Sequence, residues 1–402
     1  MSAQHDVLII GGGLVGASLA IALERTGVDV GLVEATPPGA LPAVFDERNL
    51  SFADATVNAL TALGVLRKLL APAGEIRRIH VSRAGDFGRV LLDARDYGRD
   101  MFGRVVVARD FGAALAERLD ELPRLSRYRP ARFLGCEAAG EVRAVRLADG
   151  GGERIVHARL LVAADGTHSA VRGALGIDAD VHDYAQTLLV ARVRATRAPD
   201  GTAYERFTAH GPTALLPRGD RHYGVVHGVA RAEAETALAL DEAGFLDRIQ
   251  RAFGWRVGRL LAAGARSAYP VQQVVARGTT AARAVLVGNA AQTLHPVGAQ
   301  GFNLGLRDAL VLAELIAQQP EDPGAEALLQ AYVARRHEDR ERTLAFSDGL
   351  ARITANDAPL LRPLRSLGLL AADRLPSLQS LLAGGAMGYR GDVPALCRNA
   401  CA

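Results

Sequence analysis

The chain has 402 residues, 49% of them hydrophobic and 23% charged, with a formal net charge of +3. That length calls for more than one core, and the composition excludes a disordered chain. The small charge, with no basic tract interleaved with aromatics, excludes nucleic acid as the expected partner, and no apolar run reaches the roughly 20 residues of a membrane span.

Lys68 is the only lysine, so imine chemistry would have to use it. Cys136, Cys397 and Cys401 offer neither a paired framework nor metal-ligand spacing, and no metal is expected. Cys397 and Cys401 read as reduced thiols on a tail. The N-terminus reads as a strand and not a signal peptide, which makes a cytoplasmic location the expectation, with contact to a membrane surface left open.

Residues 6–34, DVLIIGGGLVGASLAIALERTGVDVGLVE, read as strand (Val7 to Ile10), glycine turn, helix (Leu14 to Thr26) and second strand (Val30 to Val33). Gly11, Gly13 and Gly16 carry the spacing G-x-G-x-x-G. The first permits a tight turn, the second lets a pyrophosphate reach the backbone, and the third lets the helix pack close to the sheet. Glu34 follows about 20 residues on, where a carboxylate accepts hydrogen bonds from a ribose diol. A carboxylate there repels a 2′-phosphate, so the site suits FAD or NAD rather than NADP. The motif does not separate those two.

Phe45 to Phe52 follows a Pro/Gly-rich loop and carries Arg48, by itself a solvated surface arginine. Residues 53–71 read as helix, Arg77 to Asp93 as a β-hairpin, and 103–119 as strand then helix, with Arg104 and Arg109 near the junction. Residues 141–163 hold two strands about a Gly-Gly-Gly turn, and the second runs into Asp165-Gly166, Thr167, Ser169 and Arg172. Alone that is an ordinary Asp-Gly turn; at the carboxyl edge of a nucleotide-binding sheet it is a place for ligand contact. From about 181 to 275 short apolar strands separated by turn residues imply a second, antiparallel domain, interrupted by a helix over Asp241 to Phe253. After Tyr269-Pro270 the chain is expected back in the first domain. There Ala284 to Val287 reads as a buried strand bounded by Gly288, followed by a loop with Pro296, Gly298 and Gly301 and a helix from near Asn303. A glycine-rich loop feeding a helix start suits an anion, or a group that becomes anionic.

In this order and at these intervals, Gly11/Gly13/Gly16 with Glu34, Asp165-Gly166 with Arg172, and Gly288 to Asp308 resemble the flavoprotein aromatic hydroxylases, the single-component FAD monooxygenases. A closer resemblance, to the 2-polyprenyl-6-methoxyphenol hydroxylases of ubiquinone biosynthesis, rests on YERFTAHGPTALLP at 204–217, AFGWRVGRLLAAGARSAYP at 252–270 and VGNAAQTLHPVGAQGFNLGLRD at 287–308. VAADGTHSAVR at 162–172 also fits, and the resemblance spans roughly residues 5–350. It implies an α/β plus antiparallel-β fold. A Rossmann-type FAD-binding domain would be assembled from 1–75, 101–178 and 276–345, with an inserted mixed/antiparallel-sheet substrate domain at 76–100 and 179–275 and a helical C-terminus at 346–402.

The resemblance places the ADP half of non-covalent FAD on Gly11, Gly13, Gly16 and Glu34, Arg48 near the flavin and diphosphate, and Asp165 near the junction of the two halves. Gly288 and Asn289 would meet the ribityl chain; Asn289 stands where many relatives carry aspartate, and its amide oxygen can still accept a hydroxyl hydrogen bond. Arg104 stands where relatives often place glutamine. Gly298, Gln300, Gly301 and Asn303 would surround the pyrimidine edge of the flavin, where backbone donors stabilise negative charge.

The implied reaction uses NAD(P)H as a transient co-substrate, without a second fingerprint, and O2, which reduced flavin takes up as a flavin hydroperoxide that oxygenates a phenol ring. Catalytic candidates are His295, in the pKa range of a proton relay, the Pro296 carbonyl and Gln300. Tyr204, Phe207, His210 and Tyr269 are substrate candidates, while a structural salt bridge is expected of Arg206. The implied substrate is a lipophilic prenylphenol, so the chain is expected to reach the inner face of a membrane or other ubiquinone-biosynthesis proteins. Leu360-Leu361-Arg362, Leu364-Arg365 and Leu367 to Leu370 suit an interfacial helix; packing on the protein's own surface is the competing reading. Three further readings stay open: hydroxylation of a soluble aromatic, reduction of an isoprenoid double bond, and a non-catalytic flavoprotein subunit.

Overall fold

The computed structural model describes residues 4–43, 46–355 and 362–398; Phe45, Pro359, Leu360, Leu361 and Cys401 lie outside them. Among the described residues, three sheets organise the chain. The first is centred on the strand Gln4–Ile10, which pairs in parallel with Val30–Val33 on one side and Gly152–Ala163 on the other. Leu125–Tyr128 and Ala284–Leu286 extend it in parallel outward. Where Gln4–Ile10, Val30–Val33, Gly152–Ala163 and Ala284–Leu286 run side by side they are near-continuous apolar runs, covered on both faces: Val7, Leu8, Ile9, Leu160, Leu161 and Val285 are fully buried. Ala131–Ala139 and Val142–Asp149 add an antiparallel flap through the long strand Gly152–Ala163.

Two helices, Leu14–Leu23 and Gln300–Gln318, lie against each other on this sheet. The first is apolar on nearly every side, as befits a helix sandwiched between layers, and both are largely buried. Their approach needs glycine: a Cβ on Gly305 would come within 2.9 Å of both Gly288 Cα and Val15 Cγ2.

The second sheet runs Gln292–Thr293, Leu260–Ala276, Ala179–Ala195, Tyr223–Ala230, Gly211–Pro217, Thr202–Thr208, Arg78–Arg83 and Arg89–Asp93. The early hairpin therefore joins the edge of a sheet whose other strands come much later in the chain. One face is covered by the helix Glu242–Phe253, capped by Asp241 accepting from the Gly244 N–H at 2.7 Å, which buries Phe245, Ile249 and Phe253 on Leu189, Leu215 and Val225. The other face turns toward the first domain. A small sheet, Asn49–Ala53, Gly103–Val107 and Gly74–Ile76, fills the joint. There Gly224 has no Cβ because the Asn49 side chain occupies that space.

Three expectations change. The chain does not leave the second sheet at Pro270: Leu260–Ala276 is one strand with Pro270 opposite Thr187, tolerated where register shifts interrupt the pairing. The helix Glu326–Ala355 runs straight through position 345, where a domain end was expected. Cys397 is not on a free tail. It is fully buried in the first-domain core, and its carbonyl accepts from Asn58 Nδ2 at 3.2 Å. Burial pushes its thiol pKa up to about 12, so it is inert.

Candidate active site

The first strand ends in the glycine turn. Gly11 has φ +107°, and a Cβ there would collide with the Ala164 carbonyl; one on Gly16 would collide with the carbonyl of Gly11. The helix starts at Leu14 behind Gly13, with no side-chain cap and no acid in its first turn. Its N–H groups therefore lack internal acceptors and face a turn that is partly open. Glu34 sits beside it, accepting from the Gly12 N–H at 2.9 Å and the Thr36 N–H at 2.7 Å. These two donors aim the carboxylate and leave lone pairs free for a diol.

Asp165 turns inward on its own loop. It accepts from Ser169 Oγ at 2.5 Å and the Val171 N–H at 3.1 Å, while Arg172 donates to the carbonyls of Ala290 and Thr167 at 2.9 and 3.1 Å. The pair is loop-building hardware that fixes one loop against the next. Asn289 is exposed, and its side chain makes no hydrogen bond among the described residues.

Gly288, at φ +58°, lies 2.8 Å from Val15 Cγ2 by its absent Cβ. Its N–H donates at 3.2 Å to Asp308, which also accepts from Gln292 Nε2 at 2.6 Å and Arg336 Nε at 2.7 Å. Sequence reasoning gave Asp308 no role, because an acid at the end of a motif looks solvated until its helix is seen buried on all sides.

The helix after the loop begins at Gln300, three residues before Asn303, behind the left-handed Gly298 (φ +71°) and Ala299 (φ +52°). It too has no side-chain cap and no acid in its first turn. Asn303 locks it to the neighbouring sheet: Oδ1 accepts from the Ala53 N–H at 3.0 Å, and Nδ2 donates to Ser51 and Ala299 carbonyls at 3.0 and 2.8 Å. Gln300 Nε2 donates to the Gly298 carbonyl at 3.0 Å. Pro296 and Gly298 are exposed at the tip. His295 is not. It is 2% exposed, its Nδ1 accepts from the Val297 N–H at 3.2 Å, and Nε2 then carries the hydrogen toward Gln186 Oε1 at 3.3 Å. Burial pulls its pKa down to about 4. Held as a neutral ring with both nitrogens engaged, His295 shapes the loop; a proton-relay role has no geometric support.

Arg48 and Tyr269 meet. Asp46 accepts from Arg48 Nη2 at 2.7 Å and from the Tyr269 hydroxyl at 2.5 Å, and the guanidinium lies 4.2 Å from the Tyr269 ring centre. Asp46, which holds both, was not singled out in the sequence. Arg104, in the small sheet, has a buried Nε with no partner among the described residues.

Register sorts the second-domain candidates. Opposed residues share a face, so Tyr204 and Arg206 lie with Leu215 and Thr213, under the helix Glu242–Phe253. Tyr204 packs edge-on against Phe253 at 5.6 Å, turned away from the first domain. Arg206 forms no ion pair among the described residues; its buried Nε has no partner there, and burial with nearby Arg256 lowers its pKa. His210 is exposed in the hairpin turn. Phe207 is 2% exposed on the opposite face, a core residue. That face also carries Glu205, opposite Ala214 and Val81, with Leu216 and Val226 on adjoining strands. Glu205, which sequence reasoning passed over, has its charged form favoured by the backbone N–H of Gly298. The alternation Ala203, Glu205, Phe207 was the available signal: an acid between two buried positions on one strand face.

A family model described as FAD binding domain matches residues 4–347. The chain belongs to the FAD-binding-domain family. It is similar to the ubiquinone hydroxylase UbiL of Rhodospirillum rubrum, with 36% identity over 389 residues, 95% of this chain and 89% of that protein. It is similar also to the 3-demethoxyubiquinol 3-hydroxylase of Escherichia coli, 29% identical over 376 residues, 92% of this chain and 95% of that one. The fold matches p-nitrophenol 4-monooxygenase PnpA from Pseudomonas putida DLL-E4 at a TM-score of 0.80, covering 97% of this chain and 99% of that one at 18% identity.

This FAD-family chain is an FAD-dependent monooxygenase that uses NAD(P)H and O2, and its residues fit the cofactor. Two uncapped helix starts face the turn at Gly11–Gly13 and the loop at Gly298–Gly301, where side chains would fill the cradle. Glu34 is held beside the first, and the orphaned Arg104 Nε adds a donor without a partner. When bound, FAD supplies the transfer of electrons from NAD(P)H to dioxygen. The protein's own part is to bind, to orient the ring to be oxygenated and to keep water out.

Proposed function

We propose that this monooxygenase hydroxylates the ring of a polyprenylated methoxyphenol on the route to ubiquinone. The observation that carries the reading is the sheet face turned away from the helix Glu242–Phe253: Val81, Ala214, Leu216 and Val226 present an apolar surface, three of them partly uncovered. Such a wall suits an aromatic ring with a hydrocarbon tail. The names of the two ubiquinone-pathway relatives, which match nearly the whole chain, support the same substrate class.

A tail of that kind lies in a bilayer, and this reading includes contact with a membrane surface. No helix among the described residues is long and apolar enough to cross a membrane. The helices Arg362–Arg374 and Pro376–Met387 nevertheless leave Leu364, Leu367, Leu370, Leu375 and Leu381 exposed, beside Arg362 and Arg374. Leucines flanked by arginines suit an interfacial position.

Mass spectrometry of quinone precursors in cells lacking this chain tests the substrate. Accumulation of a prenylphenol one ring hydroxyl short is the expected result; an unchanged quinone pool would overturn it. Replacing Leu364, Leu367 and Leu381 with serine should shift the purified protein from the vesicle-bound to the free fraction in flotation with anionic vesicles.

A further inference from the structure

One carboxyl stands alone in the apolar wall. Glu205 is half-buried, on a sheet face whose Ala203, Val81 and Leu216 join a cluster with Ala383 and Met387. Its neighbours on that face are Val81, Ala214, Leu216 and Phe207. The backbone N–H that favours its charged form belongs to Gly298, at the tip of the loop whose helix start fits the flavin.

The charged and titratable groups on the surrounding elements are committed elsewhere, except Arg390, whose buried Nε has no hydrogen-bond partner among the described residues. On the adjoining strand Arg83 lies 3.6 Å from Asp86. On the helix Glu326–Ala355, Arg342 pairs with Glu338, and Asp348 accepts from Tyr184 and Arg352. On the loop His295 is engaged as described, and Arg390 sits over the Phe346 ring beside Gly298. Arg206 faces the other side of the sheet. A carboxylate fixed as a permanent charge would be costly in such surroundings without a cation, and burial pushes this one's pKa up to about 7. A group that both holds and releases a proton near neutral pH is what a general base requires.

We propose that Glu205 is the base that takes the hydroxyl proton of the bound phenol. This rests on the phenol reading given above. The phenolic O–H bond breaks and an O–H bond forms on Glu205; the electron pair stays on the phenol oxygen and enriches the ring carbon that receives oxygen. As the ring regains aromaticity, that carbon loses its proton to water and Glu205 returns its own to the ring oxygen. The carboxyl ends as it began, and the oxygen atom comes from the O2 the activity already uses. The Gly298 N–H favours the carboxylate form and so couples its charge to the loop.

The test uses FAD-loaded protein and, as probe, a methoxyphenol carrying one prenyl unit. Anaerobic reduction followed by oxygen, repeated between pH 5 and 9, gives the rate of hydroxylation and its pH profile. In the wild type the rate should rise through about pH 7 as Glu205 loses its proton. Glu205→Gln, which keeps a carbonyl acceptor at the same place, should bind FAD and probe within about threefold, lose that rise, and hydroxylate about 100-fold more slowly. Glu205→Asp should fall between. An infrared carboxyl band in the probe-free, unsubstituted protein, present at pH 6 and lost at pH 8.5, reports the same group without any variant. Should Glu205→Gln hydroxylate within threefold and keep the same pH profile, Glu205 takes no proton from the phenol and the proposal fails. A wild type that binds FAD but leaves the probe unchanged overturns the phenol reading, and this proposal with it.

Discussion

The guanidinium of Arg172 donates to the carbonyl of Ala290 at 2.9 Å, joining the loop after one parallel strand to the loop after its neighbour. A second arm of the same side chain holds Thr167. Two separate stretches of chain thus take one shape at the carboxyl edge of the sheet, where open α/β sheets bind their ligands. Arg172→Ala leaves both carbonyls without their donor. The expected result is a loss of about 1–3 kcal/mol in urea unfolding and weaker retention of FAD, read by flavin fluorescence during gel filtration.

Gly11→Ala should abolish or sharply weaken FAD binding. Its φ of +107° and the crowding by Ala164 combine strain with collision, worth about 1–3 kcal/mol from the backbone alone. Gly27 has φ +78° with open space around it, so Gly27→Ala should lower stability and leave FAD affinity unchanged. Isothermal titration with FAD separates the two.

Behind the flavin loop, Arg307, Asp308, Arg336 and Asp339 form a buried cluster joined by ion pairs at 2.7 Å. Removing one member strands the rest. Asp308→Ala should cost about 3–5 kcal/mol and free the Gly288 N–H, while Asp308→Ala with Arg336→Met should recover part of the loss. Urea denaturation of the three proteins checks both statements.

Among the buried histidines, His295 and His227 weigh most on the acid side. His295 and His227 have pKa values pulled down to about 4 by burial, below the ordinary 6.5. The unfolded chain binds their protons first as pH falls, so their contribution to stability is complete above pH 6.5 and is lost toward pH 4. For His295 the loss is at most roughly 3 kcal/mol, and His295→Gln should show a flatter melting temperature between pH 6.5 and 4. Glu205 works with the opposite sign. Its pKa is raised, so wild-type stability should decline from pH 4.5 through about 7, a slope that Glu205→Gln removes.

The first domain was legible because its function rests on backbone geometry that only certain residues permit. Gly11, Gly16 and Gly288 are required by close approaches, and a sequence records such requirements as fixed spacings. Glu34 was found the same way. Side chains chosen by chemical type fared differently. His295 was selected for the ordinary pKa of its ring, which burial removes; Tyr204 was selected for its hydroxyl, although strand alternation puts the residue under the helix Glu242–Phe253. Glu205 needed both a strand face and the fold's long-range pairing to be seen, although its place between Ala203 and Phe207 carried half of that information. Cys397 was read as a tail residue because four residues of helix reveal nothing of what they dock against.

Turnover under isotopically labelled dioxygen tests the assignment as a ring monooxygenase most directly. FAD-loaded protein, NAD(P)H and a prenylated methoxyphenol, incubated under ¹⁸O₂, should give a product carrying one ¹⁸O atom on the ring. Oxidation of NAD(P)H with only hydrogen peroxide formed, or a hydroxylated product with its new oxygen drawn from water, would contradict it.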